Sequence, residues 1–161
     1  MRLAQLEEAP VAHRILQEAF AEYESLPYPS SASRESLETT RHALLQGAIL
    51  LGELRAEAGE AAGWQACLSL RFRVHGEVLR FSRLAVLPAY RGRGFAHRAL
   101  AWLEEFARSR GLKRLETTAR SAYPDNRPFY TALGYAVTAY SEAYGILDLR
   151  THLCKTLEEH A

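Results

Sequence analysis

What most limits this chain's fold is a change of hydrophobic period at Pro88. Residues 77–86 read as a strand. Beyond the proline, Ala96, Ala99, Leu100, Leu103, Phe106, Ala107 and Arg110 recur at helical spacing until Gly111 stops them. The chain must therefore leave a strand, turn through a glycine-bearing loop and enter an amphipathic helix within a few residues. A strand followed by such a helix leads to a parallel partner strand, and 113–119 fits that part.

The remaining elements fall around this unit. Residues 1–6 read as a short strand. A helix follows over 10–23, with Val11, Ile15, Leu16, Ala19, Phe20 and Tyr23 on one side. Residues 26–33 form a loop rich in proline and serine, and Ser33 is placed to cap a second helix that runs to Gln46. Leu37, Leu44 and Leu45 are expected to face inward there, with Gly47 as the stop. Residues 48–55, 62–73 and 77–86 read as antiparallel strands joined by turns at 57–60 and 75–76. A short helix over 127–133 ends at Gly134, and 135–144 and 146–155 are the last strands. The order β-α-α-β-β-β-α-β-α-β-β predicts one domain over 1–161. Its class is α/β of the α+β type, a mixed, mostly antiparallel central sheet flanked by helices. The alternating 146–155 segment reads as a sheet edge that suits a homodimer, with monomer and dimer both open.

Composition narrows the partners. The formal net charge of +1 favours neither extended nucleic acid nor an anionic membrane. Basic residues cluster over 91–98 and 108–114, and the second cluster reads as a solvated face. Cys67 and Cys154 match no metal or redox spacing, so both are expected to be small hydrophobes in a reducing compartment. The six histidines include no helical zinc pair with a third ligand, so no metal is expected. Residues 1–8 lack the apolar core of a signal peptide, and no apolar run reaches membrane length. A soluble, cytoplasmic protein is expected.

The chemistry concentrates in 83–96, Arg-Leu-Ala-Val-Leu-Pro-Ala-Tyr-Arg-Gly-Arg-Gly-Phe-Ala. A loop that opens directly into a helix aims free backbone N–H groups at one spot, which is an anion site. Gly92 and Gly94 permit positive φ and close approach of a phosphate, while Arg91 and Arg93 supply charged donors. A Walker loop would need Gly-Lys-Ser/Thr, which is absent, and a dinucleotide fingerprint would need glycine where His97 stands.

Arg91-x-x-Gly94-x-Ala96, preceded by Leu84-Ala85-Val86-Leu87-Pro88, resembles the cofactor signature of the GNAT superfamily of N-acetyltransferases. The likeness runs on through 103–111 and 115–119. It ends in Asn126-Arg127-Pro128-Phe129-Tyr130-Thr131-Ala132-Leu133-Gly134-Tyr135, similar to the family's Phe-Tyr-x-x-Leu-Gly-Phe segment. The resemblance implies acetyl-CoA as acyl donor. Leu84, Ala85 and Val86 would pair through their backbone with the pantetheine arm. Arg91, Gly92, Arg93, Gly94, Phe95, Ala96 and His97 would wrap the pyrophosphate. Asn126 would serve as cofactor contact and helix cap, although many relatives place this asparagine further upstream of the tyrosine. The acceptor cleft would lie where strands 77–86 and 113–119 splay apart.

The implied reaction is acetyl transfer to a primary amine of a small molecule or peptide. The Val86 N–H is the expected oxyanion donor. Tyr130 matches the family tyrosine that protonates the leaving thiolate, and an ordinary phenol pKa of about 10 beside a thiol's roughly 8.5 suits that step. Many relatives carry a glutamate on the strand before the cofactor loop, but here the strand reads Arg80-Phe81-Ser82-Arg83. Glu116, acting directly or through water, is the candidate base instead. Arg83 falls in phase with apolar Leu79, Phe81 and Ala85, so its charge needs an anion or a wet cleft. It is expected to line the acceptor cleft and meet a carboxylate of the acceptor or of the protein. Tyr140, Tyr144 and His152 read as ordinary strand positions, and 23–33 as a plain surface connection or an acceptor lid. Two alternatives stand beside this reading: an acetyl-CoA sensor without turnover, and a transferase for a longer acyl chain.

Overall fold

A computed structural model describes residues 1–55, 63–121, 125–143 and 148–157. The turn expected at 57–60, the strand start at 62, Tyr123 and Pro124, and Tyr144 and Ile146 lie outside these residues. The chain divides into two compact units, Met1–Arg73 with Arg83–Leu103, and Val74–Ser82 with Glu104–Ala161.

The first unit begins with β1 (Arg2–Leu3), antiparallel to β2 (Ala48–Arg55), which in turn pairs antiparallel with β3 (Trp64–His75). Both faces of β2 and β3 are covered, so they read as near-continuous apolar runs: Ile49, Leu50, Leu51, Cys67, Leu68 and Leu70 are buried. Helix α1 (Ala9–Phe20) buries Ile15, Leu16 and Ala19, as the periodicity predicts, and Ala12 as well, whereas Val11 and Phe20 are half-buried; a single 3-10 turn carries it on to Tyr23. Helix α2 (Leu37–Gln46) departs from expectation in two ways. Its cap is Ser36, whose Oγ accepts from Thr39 N–H at 3.1 Å. Ser33 lies instead in a 3-10 turn, its hydroxyl bonded to Ser30 C=O. Leu45 points to solvent with 68% of its surface exposed, and Thr40 is the buried residue of the helix. Ser36→Ala should destabilise the protein by about 1 kcal/mol in urea unfolding, the usual cost of a lost cap; an unchanged midpoint would show that the cap contributes nothing.

Three elements run on from one unit into the other: β3, β4 (Val78–Val86) and α3 (Phe95–Ser109). The strand order is β1-β2-β3-β4-β5-β7-β6, with β5 (Arg114–Arg120), β6 (Ala136–Glu142) and β7 (Leu149–Thr156) in the second unit. The element order and the parallel β4–β5 pair agree with the sequence reading, and β5–β7 and β6–β7 are antiparallel. β7 is interior, paired on both sides, and the edge strand is β6. The edge expected at 146–155 is thus displaced, because β6 folds back beyond β7 and covers it.

In the second unit, Phe81, Tyr130 and Tyr135 stack within 5.7–6.1 Å centroid to centroid, above buried Leu115 and Leu153. Tyr130 belongs to α4 (Arg127–Ala132). Buried Asp148 is ion-paired with Arg120. Cys67 is buried and Cys154 half-buried, both as free thiols. No helix among the described residues is long and apolar enough to cross a membrane, and none of their His, Cys, Asp and Glu side chains group as a metal site.

Candidate active site

The loop after β4 is built from local rules. Pro88 starts a 3-10 turn over Pro88–Tyr90, and Gly92 and Gly94 take φ of 72° and 76°. A Cβ on either glycine would meet nothing within 4 Å, so it is the backbone conformation that asks for glycine there. The Gly94 carbonyl accepts from Arg98 N–H at 3.1 Å, so the helix begins at Phe95. Among the described residues, the amides of Gly92, Arg93, Gly94, Phe95 and Ala96 donate to no backbone carbonyl. They form the N-terminal rim of a helix, with its partial positive charge. Phe95 is buried against Tyr90 and anchors the loop, whereas His97 is exposed.

The arginines of this loop divide differently from expectation. The Arg91 guanidinium is bound to the protein: Nη1 pairs with Glu22 Oε1 at 2.5 Å, Nη2 donates to Ala19 C=O at 2.9 Å, and Nε reaches Val86 C=O at 3.4 Å. It fastens the end of α1 to the end of β4. The Val86–Leu87 peptide is held on its other side by the Leu87 N–H, which donates to Cys67 C=O at 2.9 Å. Arg93 lies over Tyr90 and Arg98 over Phe95, neither with a carboxylate partner among the described residues. Arg98 lies one turn into the helix, beside the loop that carries Arg91 and Arg93. Burial pushes the Cys67 thiol up, with the positive charges of Arg98 and Arg93 partly opposing it.

Arg83 interrupts β4. Its φ of 56° is the one positive value at a described residue other than glycine. A left-handed arginine costs on the order of 1–2 kcal/mol and persists only where its surroundings hold it. Its Nε donates to Glu35 Oε2 at 3.1 Å and its Nη2 to Ser31 Oγ at 3.0 Å. Glu35, which carries no sequence signature, has a side chain only 5% exposed. Arg71 forks onto both its oxygens, and Thr40 Oγ1 donates to Oε1 at 3.2 Å. Burial pushes the Glu35 carboxyl up, but the hydrogen bonds and charges of Arg71 and Arg83 outweigh it and hold it below the usual range. The expected protein carboxylate for Arg83 is therefore Glu35, and Ser31 brings the candidate lid loop to it.

The other candidates lie in the second unit. The Glu116 carboxylate is held by Arg80 Nε at 3.0 Å and Arg114 Nε at 2.9 Å, one guanidinium on each oxygen. β5 pairs with β4 only over Val78–Arg80. Asn126 makes no side-chain cap; Asp125 Oδ1 accepts from Arg127 N–H at 3.0 Å in its place, which corrects the expected cap. Tyr130 is buried, and burial alone pushes its phenol up to about 12. That corrects the ordinary value assumed for it. Tyr140 is exposed on β6, and His152 Nε2 lies 2.8 Å from Ser141 Oγ.

Residues 13–135 match the acetyltransferase (GNAT) family. Among solved structures, the ribosomal-protein-S18-alanine N-acetyltransferase of Escherichia coli superposes with a TM-score of 0.73 at 15% identity, over 99% of this chain and 94% of that one. The PaiA N-acetyltransferase of Thermoplasma acidophilum, in complex with coenzyme A, gives 0.71 at 17% identity over 97% of each chain. An aminoglycoside 6'-N-acetyltransferase complexed with coenzyme A gives 0.67 at 14% identity, again over 97% of each. At these identities the likeness is one of fold.

Proposed function

The chain belongs to the acetyltransferase (GNAT) family, and on that premise we propose that it transfers an acetyl group from acetyl-CoA to a primary amine of a small molecule or peptide. The observation that carries the donor site is the loop itself, at the mouth of α3: two glycines at positive φ and, among the described residues, a rim of amides that meet no backbone carbonyl and two guanidiniums without carboxylate partners. A diphosphate fits that chemistry. Leu84, Ala85 and Val86 are proposed to receive the pantetheine arm, since the ladder from β4 to β5 stops at Arg80. Two solved relatives by fold hold coenzyme A.

With acetyl-CoA bound, the neutral amine attacks the thioester carbonyl directly: the C–N bond forms, the C–S bond breaks to release the CoA thiolate, and the proton lost by the nitrogen passes to water. The oxyanion is assigned to the Val86 N–H, in a strand end whose following peptide is fixed by Arg91 and Cys67. Tyr130 is proposed as the partner of the departing thiolate. A phenol near 12 is a far weaker acid than a thiol of about 8.5, so complete proton transfer is uphill; the phenol instead stabilises the thiolate as a hydrogen-bond donor. Tyr130→Phe should lower kcat roughly tenfold to a hundredfold while acetyl-CoA affinity holds. The wild-type pH–rate profile should show no break from Tyr130 below pH 11, and an alkaline limb lost in Tyr130→Phe would overturn this role.

One observation favours the sensor alternative: the candidate strand base, Glu116, is bound to two arginines. The reading is tested by titrating the purified protein with acetyl-CoA in a calorimeter, then following release of the free CoA thiol with a panel of amines. Binding with turnover supports the transferase. Binding without turnover on any amine supports the sensor, and preferential turnover of a longer acyl-CoA supports the third alternative.

A further inference from the structure

Around Glu35, donors outnumber acceptors. Oε1 takes Arg71 Nη2 and Thr40 Oγ1, and Oε2 takes Arg71 Nη1 and Arg83 Nε, which fills the usual four acceptor positions of a carboxylate. Two donors remain. Arg71 Nε is buried with no hydrogen-bond partner, and Arg83 Nη1 donates to nothing among the described residues. Two guanidiniums against one carboxylate also leave one positive charge over. The Arg83 side chain is 30% exposed and that of Arg71 20%, so the surplus faces a surface that a solute can reach. A buried donor without a partner is costly, and an excess charge in a half-buried site calls for a counter-ion.

Arg83 stands three residues before Val86 on the same strand. At up to about 3.3 Å per residue, its Cα lies within roughly 10 Å of the strand end assigned to the thioester, a distance that an acceptor with an amine and a carboxylate can bridge. We propose that Arg83, supported by Arg71, binds a carboxylate of the acceptor, so that the amine acetylated belongs to an amino acid or a short acidic peptide. This rests on the acetyl-transfer reading above. Glu35 fixes the two guanidiniums, and the left-handed backbone at Arg83 is the strained conformation in which that pairing is held. An uncharged or polycationic amine has nothing to offer this site.

The test compares each of a set of α-, β- and γ-amino acids with its own carboxamide as acceptor, in wild type, Arg83→Asn and Arg71→Gln. Asparagine is chosen because it tolerates positive φ, and thermal unfolding of each variant verifies folding. Wild type should use at least one free acid about tenfold to a hundredfold better in kcat/KM than its amide, the range of a charge-assisted hydrogen bond. Arg83→Asn should bring that ratio to near one while acetyl-CoA affinity stays at the wild-type value. Arg71→Gln should reduce it. Equal use of acids and amides by wild type, or a preference unchanged in Arg83→Asn, overturns the carboxylate site and leaves the transferase standing. Failure of folded wild type to bind acetyl-CoA overturns the transferase reading, and the carboxylate site with it.

Discussion

Gly94→Asp should weaken acetyl-CoA binding on the order of several hundredfold while leaving the protein folded. Two physical effects add. An aspartate at φ 76° carries a modest left-handed strain, about 1 kcal/mol, which the open space beside this residue does nothing to increase. Its carboxylate then stands at the helix rim where a diphosphate is proposed to sit, and like charges about 4 Å apart repel by up to about 4 kcal/mol near a protein surface. Together these approach 3–4 kcal/mol after solvent screening. Gly94→Ala isolates the strain and should cost only about 1–2 kcal/mol, tenfold or so in Kd. The expected order by calorimetry is therefore wild type, Gly94→Ala, Gly94→Asp. Two variants of equal affinity would mean that backbone strain alone is at work and that no phosphate approaches Gly94. Arg91 makes the contrasting case. Its guanidinium already serves Glu22, Ala19 and Val86, so Arg91→Ala should act through a loosened α1–β4 connection, with a fall in stability as well as in affinity.

That contrast shows how far a sequence reports its own site. The period change at Pro88, the paired glycines and the apolar stripe through Leu103 are local signals, and the strand, loop and helix they predict are present with Gly92 and Gly94 in the required conformation. Element order was legible for the same reason. Side-chain destinations were not, because they depend on partners far along the chain. Arg91 meets Glu22, 69 residues earlier, and Arg83 meets Glu35, 48 residues earlier. Glu35 sits in an unremarkable serine-rich stretch, and only the fold brings Arg71 and Arg83 onto it. Cap choice failed on a finer scale: Ser30, Ser31, Ser33 and Ser36 all suit a cap, and the one three residues before the first suitably placed amide, Ser36, takes it. Arg83 is half-buried, between buried Phe81 and Ala85. The positive φ there, which no arginine announces, had no sequence signal.

Glu35→Gln should destabilise the protein by about 3 kcal/mol at pH 7, more than any other single polar change in the first unit. Removing one partner of a buried ion pair costs roughly 3–5 kcal/mol because the remaining charge is left uncompensated. Here two guanidiniums lose their counter-ion, and their partial exposure places the effect at the lower end of that range. The carboxyl's folded-state value lies below its unfolded one, so its stabilisation is complete above the unfolded value of about 4.3 and is lost as pH falls through the lowered folded value. The stability gap between wild type and Glu35→Gln, measured by urea unfolding at several pH values, should thus be constant from pH 6 to 8 and close on acidification. A gap that persists undiminished in acid would show that shape, not charge, makes Glu35 important. The guanidiniums left behind provide a second readout. In Glu35→Gln they have more uncompensated charge than in wild type, so added acetate should restore stability to the variant more than chloride at equal ionic strength. Equal effects of the two salts would mean general screening, in which case this cluster has no preference for a carboxylate.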